Sequence, residues 1–211
     1  MELILSLASV LGAILIGAIS PGPSFVLVAR TSMAASRIDG IFTAIGMGIG
    51  GVVFSAVVLL GLQAALVSVP WLYLALKLVG GLYLVYITIL IWRGAKSPIV
   101  IPGTEEGIRR SLKKSFLRGL FTQLSKPKTV VVYGSIFAAL LPHKLPPSAA
   151  LVIVFLVFIV EAGWYSIVAL ALSSESSRAA YLRSKMLVDR GASGVMGLLG
   201  LKLVAAARPA P

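Results

Sequence analysis

The sequence contains no cysteine, a single histidine and only seven acidic residues in 211. Without cysteine there are no disulfides, no thiolate zinc sites and no thiol catalysis. The histidine, His143, follows Pro142 and has no clustered partners that would complete a metal site. A glycine-rich phosphate-binding loop of the Walker type is also missing, which argues against direct use of ATP. We therefore expect no metal, no cofactor and no enzymatic activity.

Charge is scarce and apolar residues are abundant. Charged residues make up 12% of the chain and hydrophobic residues 58%, with a mean hydropathy of +1.01. A soluble domain of this length needs a more polar surface, so the excess apolar content is expected to face lipid. The net charge of +12 would suit nucleic acid, but the hydropathy assigns the chain to a membrane, and we expect no nucleic-acid partner.

Six apolar segments are long enough to cross a bilayer core about 30 Å thick, which takes roughly 20 helical residues. Strands of a β-barrel would be shorter and would alternate strictly. We therefore predict an all-α polytopic membrane protein that forms a single transmembrane transporter domain over residues 1–211. The first segment lacks the basic start of a signal peptide and is predicted to be a true span. The segments cover about 3–29, 40–67, 70–92, 116–141, 148–172 and 190–207.

Basic residues between these segments predict the orientation. Twelve Lys or Arg fall in the 30–39, 93–115 and 173–190 segments, against Lys144 and Arg208 on the other side. We expect the chain in the cytoplasmic membrane, where the positive-inside rule predicts both termini outside and the long 93–115 loop in the cytoplasm. Topology alone explains the basic cluster of that loop, and binding to anionic lipid is the alternative.

The two halves of the chain, about 1–92 and 116–207, show the same features in the same order. Each half begins with an apolar span that proline interrupts, and an odd number of spans per half would invert the second copy. This pattern predicts two inverted three-helix repeats with broken helices one and four, and a substrate site between them. The matched segments are Ser20-Pro21-Gly22-Pro23-Ser24 with Ser125-Lys126-Pro127-Lys128-Thr129, Lys77 to Gly81 with Arg190 to Gly194, and Gly51 and Phe54 with Glu161 and Trp164.

Proline gives such breaks a physical meaning. It removes an N–H and clashes with the preceding turn, so backbone groups near it are freed. In hydrocarbon those groups are costly unless they line a wet cavity or are buried in protein. Ser20 before Pro21 fits an N-cap followed by proline at the first helical position, and a helix that restarts there presents its positive end to a carboxylate. A simple packing kink is the alternative.

Several motifs together carry a family resemblance: Ser20 to Ser24, Gly40, Gly46 to Gly50, Leu76 to Leu84, Lys126-Pro127-Lys128 and Glu161 to Tyr165. With these motifs the sequence resembles the lysine exporter and homoserine/threonine resistance family over nearly the whole chain. The resemblance implies a six-span exporter of amino acids or their derivatives that is driven by the proton gradient. Two positions depart from the family's pattern: Lys126 replaces an asparagine, and Gly51 replaces an acidic residue that some members carry. Both changes make the expected cavity more positive, which favours neutral or more acidic substrates over basic ones.

Ionisable residues inside spans are costly and are therefore functional candidates. Glu161 could bind a substrate ammonium, carry a coupling proton, or pair with a buried lysine. Lys126 and Lys128 could meet a carboxylate at the break. Trp164 and Tyr165 could form an aromatic wall of the cavity, with anchoring at the membrane interface as the alternative for Tyr165. The predicted substrate-binding residues are Ser20, Pro21, Gly22, Pro23, Ser24, Lys126, Pro127, Lys128, Glu161 and Trp164, with Glu161 as the coupling candidate.

Small residues predict one close helix contact. Gly46-x-x-x-Gly50 lets the second span approach another helix, either within one chain or between two copies in a homodimer. For the whole chain, the expected function is secondary-active export of a small molecule by alternating access. A passive pore or channel for small anionic or zwitterionic solutes is the alternative.

Overall fold

The computed structural model describes residues 2–20, 22–68, 70–96, 111–142, 145–172, 175–205 and 207. Within these ranges the chain is helical and has no strand, which confirms the all-α prediction. Pro21, His143, Lys144 and residues 97–110 of the predicted loop lie outside the described residues. The helices, α1 to α8 in chain order, are Glu2–Ile19, Pro23–Ala34, Arg37–Ser68, Pro70–Gly94, Leu112–Leu124, Pro127–Leu140, Pro147–Ala171 and Glu175–Ala205.

Proline determines where several helices start. Helices α2, α4, α6 and α7 begin at Pro23, Pro70, Pro127 and Pro147. At the first helical position proline costs no hydrogen bond, because its amide would be unpaired there, and its φ already suits a helix. The chain is thus interrupted at both predicted breaks: α1 and α2 are bent by 60°, and residues 125–126 separate α5 from α6.

Two of the described helices are long and apolar enough to cross a membrane, Arg37–Leu62 in α3 and Pro147–Ala171 in α7. The bent pair Leu5–Ile19 and Ser24–Ala34 makes a third if it counts as one span. Shorter apolar helices cover Leu78–Gly94 and Thr129–Leu140. The six-span count therefore stays a prediction.

The helix that contains the sixth predicted segment begins before the apolar residues of that segment. Helix α8 starts at Glu175 and not near residue 190. Its first turns are polar, with Ser, Arg and Lys among the residues. Hydropathy detects the part of a helix that can face lipid and misses the polar turns before it, which explains the difference.

Helices from the two halves of the chain pack mainly against each other. Helix α3 packs most extensively on α5 and α7, and α4 on α8 and α6. The predicted internal repeat matches α3 with α7 and α4 with α8, and these helices are neighbours in the structure. The repeat and its inversion both stay predictions. Two buried apolar clusters result, one around Val10, Phe137 and Val157 and one around Phe25 and Met47.

Glycine allows the closest of these helix contacts. A Cβ added at Gly46 would collide with the carbonyl oxygen of Phe116, and one at Gly119 would collide with that of Thr43. The backbones of α3 and α5 therefore touch directly. The close approach predicted from Gly46-x-x-x-Gly50 is made within one chain, because Gly50 also packs on α5 at Gln123.

Candidate functional site

A cavity of about 190 Å³ lies where the two halves meet. Residues of both apolar clusters contribute to its wall: Ile14 and Tyr133 from the first and Tyr165 from the second. The cavity therefore lies between the clusters, inside the helical bundle. Its polar and glycine lining consists of Gly17, Ser20, Gly22, Ser24, Gln123, Lys126, Thr129, Tyr133, Glu161 and Tyr165.

Glu161 is the acidic residue of this cavity. It is only 5% exposed, and its Oε1 accepts a hydrogen bond of 2.6 Å from the hydroxyl of Tyr133. The other oxygen, Oε2, is buried and accepts no hydrogen bond from a residue that the structure describes. Buried polar atoms rarely remain unsatisfied, and this oxygen has the capacity to accept a hydrogen bond from a donor in the cavity.

Lys126 supplies the opposite charge. Its Nζ donates a hydrogen bond of 3.3 Å to Oε1 of Gln123, and its charge also acts on the Glu161 carboxylate. Gln123 is 2% exposed and lies against Gly50, where a Cβ would come within 2.7 Å of its side chain. Glycine at position 50 thus makes room for the amide that orients Lys126.

Two helix N-termini border the same cavity. Helix α2 starts after Gly22 and α6 after Lys126, and neither start has a side-chain capping hydrogen bond or an acidic residue in its first turn. Gly22 and Ser24 line the cavity on one side, and Lys126 and Thr129 on another. The positive ends of both helices therefore stay available for a carboxylate.

The predicted capping role of Ser20 is wrong. Helix α2 begins at Pro23 with Gly22 as its N-cap, in an extended conformation with φ −138° and ψ −169°. The second proline of the segment thus takes the first helical position, which suits it as well as it would suit Pro21. The Ser20 hydroxyl instead donates a hydrogen bond of 2.8 Å to Asp189 Oδ1.

The structure brings five predicted binding residues to one cavity, and their role in binding stays a prediction. Trp164 packs against the cluster around Phe25 and is not part of the cavity lining. Pro21 and the side chains of Pro23, Pro127 and Lys128 lie outside what the structure describes. The five that line the cavity are Ser20, Gly22, Ser24, Lys126 and Glu161.

Sequence reasoning missed Gln123, Thr129 and Tyr133. Thr129 and Tyr133 follow Lys126 at spacings of three and seven residues, which places all three on one helical face. Their spacing from Lys126 could therefore have predicted that Thr129 and Tyr133 face the cavity. Gln123 precedes the break by two residues, and only the tertiary contact with Gly50 shows that it faces the cavity.

The donor set does not suit a metal ion. Within the described ranges, no group of three or more His, Cys, Asp or Glu side chains comes together. The cavity instead offers one carboxylate, one ammonium and several neutral hydrogen-bonding groups. This combination fits an organic solute that carries both charges.

The chain is similar in sequence to known membrane translocators. The model of the LysE type translocator family matches residues 15–207. The chain is 28% identical to the threonine efflux protein of Escherichia coli K12 over 192 residues, which cover 90% of this chain and 93% of that protein. It is 28% identical to the threonine efflux protein of Salmonella typhi over 191 residues, 90% of this chain and 93% of the relative.

A third relative is an uncharacterized membrane protein of Haemophilus influenzae. It is 28% identical over 193 residues, with 90% of this chain and 91% of that protein covered. No solved structure is significantly similar to the chain.

Proposed function

The chain belongs to the LysE type translocator family, and we propose that it exports small amino acids or closely related metabolites across the cytoplasmic membrane as a multi-pass secondary transporter. Membership of this family makes it a transporter and not an enzyme. The observation that carries the proposed substrate class is that Glu161 and Lys126, which have opposite charges, line the same cavity.

An amino-acid zwitterion matches this cavity in charge and in size. Its ammonium can donate to the unsatisfied Oε2 of Glu161, and its carboxylate can accept from Lys126 and from the amides that begin α2 and α6. The volume of about 190 Å³ is below the roughly 300–1,000 Å³ of pockets for drug-sized ligands. Small side chains are therefore favoured, and the threonine efflux proteins among the relatives agree with that class.

Glu161 also offers a route to coupling with the proton gradient. A carboxylate inside a membrane protein is stabilised either by a proton or by a bound cation. If the proton and the substrate ammonium exclude each other at Glu161, outward movement of substrate is exchanged for inward movement of a proton. Tyr133, which donates to Oε1, keeps the carboxyl group oriented in both conditions.

The position of the cavity between the two halves supports the proposal of alternating access. Broken helices in both halves meet the cavity, and small rotations of one half against the other would expose it to either side. The bend between α1 and α2 and the interruption at residues 125–126 are places where the chain can hinge.

Efflux from proteoliposomes tests this proposal. We expect saturable efflux of labelled small neutral amino acids, with L-threonine as the first probe, and stimulation by an inward proton gradient. Addition of a protonophore should remove the stimulation. Efflux that rises linearly with concentration and ignores the gradient would contradict the proposal and favour a passive pore.

Substitution of Lys126 tests the role of the cation. We expect Lys126→Met to raise the KM for a zwitterionic amino acid by roughly 10- to 150-fold, because a hydrogen bond to a charged group contributes about 1.5–3 kcal/mol. The matched control is Lys202→Met, since Lys202 is an exposed residue of α8. Equal KM values for the two variants would remove Lys126 from the site.

A further inference from the structure

A second buried polar group lies beside the cavity, apart from the residues assigned to substrate. Lys185 and Asp189 stand four residues apart on α8, and Lys185 Nζ lies 2.7 Å from Asp189 Oδ2. Lys185 is 7% exposed and Asp189 is 3% exposed. Neither residue lines the cavity, and neither was predicted from the sequence.

This pair connects three helices. Asp189 Oδ1 accepts a hydrogen bond of 2.8 Å from Ser20, at the break that follows α1. Lys185 Nζ donates to the carbonyl oxygens of Gly94 and Ala95, at 3.0 and 3.2 Å, where α4 ends. The Ser20–Asp189–Lys185 network thus fixes the last helix of the second half to two places in the first half.

The Lys185–Asp189 ion pair lies within α8, and hydrogen bonds made by its two charged groups cross to the ends of α1 and α4. Hydrogen bonds to charged groups are stronger than neutral ones, so they hold these elements together as long as they are formed. Burial of the two charges carries a desolvation penalty, which is recovered when the helices separate. The contact can therefore close the cavity and still be broken during a transport cycle.

The position of the Ser20–Asp189–Lys185 network indicates which movement of the helices it restrains. Ser20 both lines the cavity and donates to Asp189, so separation of the two residues would open the cavity wall at that point. The end of α4 and the neighbouring turns of α8 carry Arg93, Lys96 and Arg183, which the positive-inside rule assigns to the cytoplasmic side.

We propose that Asp189 is a positioning residue of the transport cycle. With Lys185 it holds Ser20 and closes the cavity toward the cytoplasm, and substrate enters from the cytoplasm only after this network has separated. The inference rests on the proposed export function. It concerns the movement of α8 against the first broken helix, not the identity of the substrate.

The accessibility of a thiol in the cavity measures the separation of α8 from the first broken helix without any substrate. Since the chain has no cysteine, Thr129→Cys places a single thiol in the cavity wall on α6. The rate of its alkylation by a membrane-impermeant maleimide is measured separately from the cytoplasmic and the external side. We expect Ser20→Ala to raise the cytoplasmic rate about tenfold, which corresponds to about 1.4 kcal/mol, and to leave the external rate unchanged.

The matched control is Ser193→Ala. Ser193 is buried on the same helix, but its hydroxyl donates to the carbonyl of Arg190 within α8 and, among the described residues, bonds to no other element. We expect the control to label at the rate of the parent. Ser20→Thr keeps a hydroxyl and should restore slow labelling. Equal cytoplasmic rates for Ser20→Ala and Ser193→Ala would overturn the proposal.

A second variant tests the charges of the network. The double substitution Asp189→Asn with Lys185→Gln removes both charges together and keeps hydrogen-bonding groups at both positions. Faster cytoplasmic labelling than in the parent would support the proposal, and an unchanged rate would contradict it. Labelling does not require transport. If the parent protein shows no efflux, the export function is refuted, but the labelling rates still test whether the network closes the cavity.

Discussion

Glu161→Gln is expected to abolish gradient-driven efflux while the protein remains folded. Glutamine has nearly the shape of glutamate, and its carbonyl oxygen can still accept the hydrogen bond from Tyr133. The negative charge that would hold the substrate ammonium or a proton is lost. A charge-assisted hydrogen bond contributes about 1.5–3 kcal/mol, which corresponds to roughly 10- to 150-fold in affinity. The loss of coupling adds to that effect.

Asp39→Asn is the matched control for this variant. Asp39 is also a buried acid, but it accepts hydrogen bonds from Ser36 and Ser115, each at 2.7 Å, and it does not line the cavity. We expect Asp39→Asn to reduce thermal stability and to retain gradient-driven efflux per folded molecule. If Glu161→Gln transports as well as the parent, Glu161 is a structural charge and the proposed coupling is wrong.

Substitution of the glycines between α3 and α5 should have the largest effect on stability. A Cβ at Gly46 or Gly119 would overlap a backbone carbonyl of the facing helix, and backbone atoms cannot move aside as a flexible side chain can. Overpacking of a core usually costs about 1–3 kcal/mol and occasionally more. For Gly46→Ala and Gly119→Ala we expect at least about 3 kcal/mol, or a fall in Tm of roughly 6–12 °C.

The control uses the same substitution on another helix. A Cβ at Gly194 of α8 meets nothing within 4 Å. Alanine is favoured over glycine inside a helix by about 1 kcal/mol, so Gly194→Ala should leave the Tm unchanged or raise it. The Tm of all three variants is measured by heating each protein in detergent and determining by size-exclusion chromatography how much folded protein remains. A Tm for Gly46→Ala equal to that of Gly194→Ala would mean that α3 and α5 do not touch as described.

Much of the fold could be predicted because its signals are local. Apolar segments of spanning length gave the helices, and the prolines at positions 23 and 127 gave the two interruptions. Glu161 and Lys126 were found because charge inside an apolar segment is costly and therefore rare. Each of these features can be seen in a short window of residues.

The features that were missed depend on contacts between distant residues. Asp189 and Lys185 have the four-residue spacing of a helical ion pair, but they precede the apolar part of α8 and looked like part of a loop. The partner of Asp189 is Ser20, which is 169 residues away in sequence. Trp164 was expected in the cavity because of its type, yet its position on α7 turns it toward the cluster around Phe25. Sequence spacing alone does not give these orientations.

The central claim is that Glu161 binds the ammonium and Lys126 the carboxylate of an amino acid in the cavity. Its most direct test is a binding series with three ligands and two variants. The ligands are L-threonine, its amine-free 2-hydroxy acid and its carboxylate-free amino alcohol, measured by equilibrium binding to purified protein. We predict that Glu161→Gln weakens the two amines and spares the 2-hydroxy acid, whereas Lys126→Met weakens the two acids and spares the amino alcohol. If each variant instead weakens all three ligands equally, the two residues do not recognise separate groups of the substrate, and the proposed site is wrong.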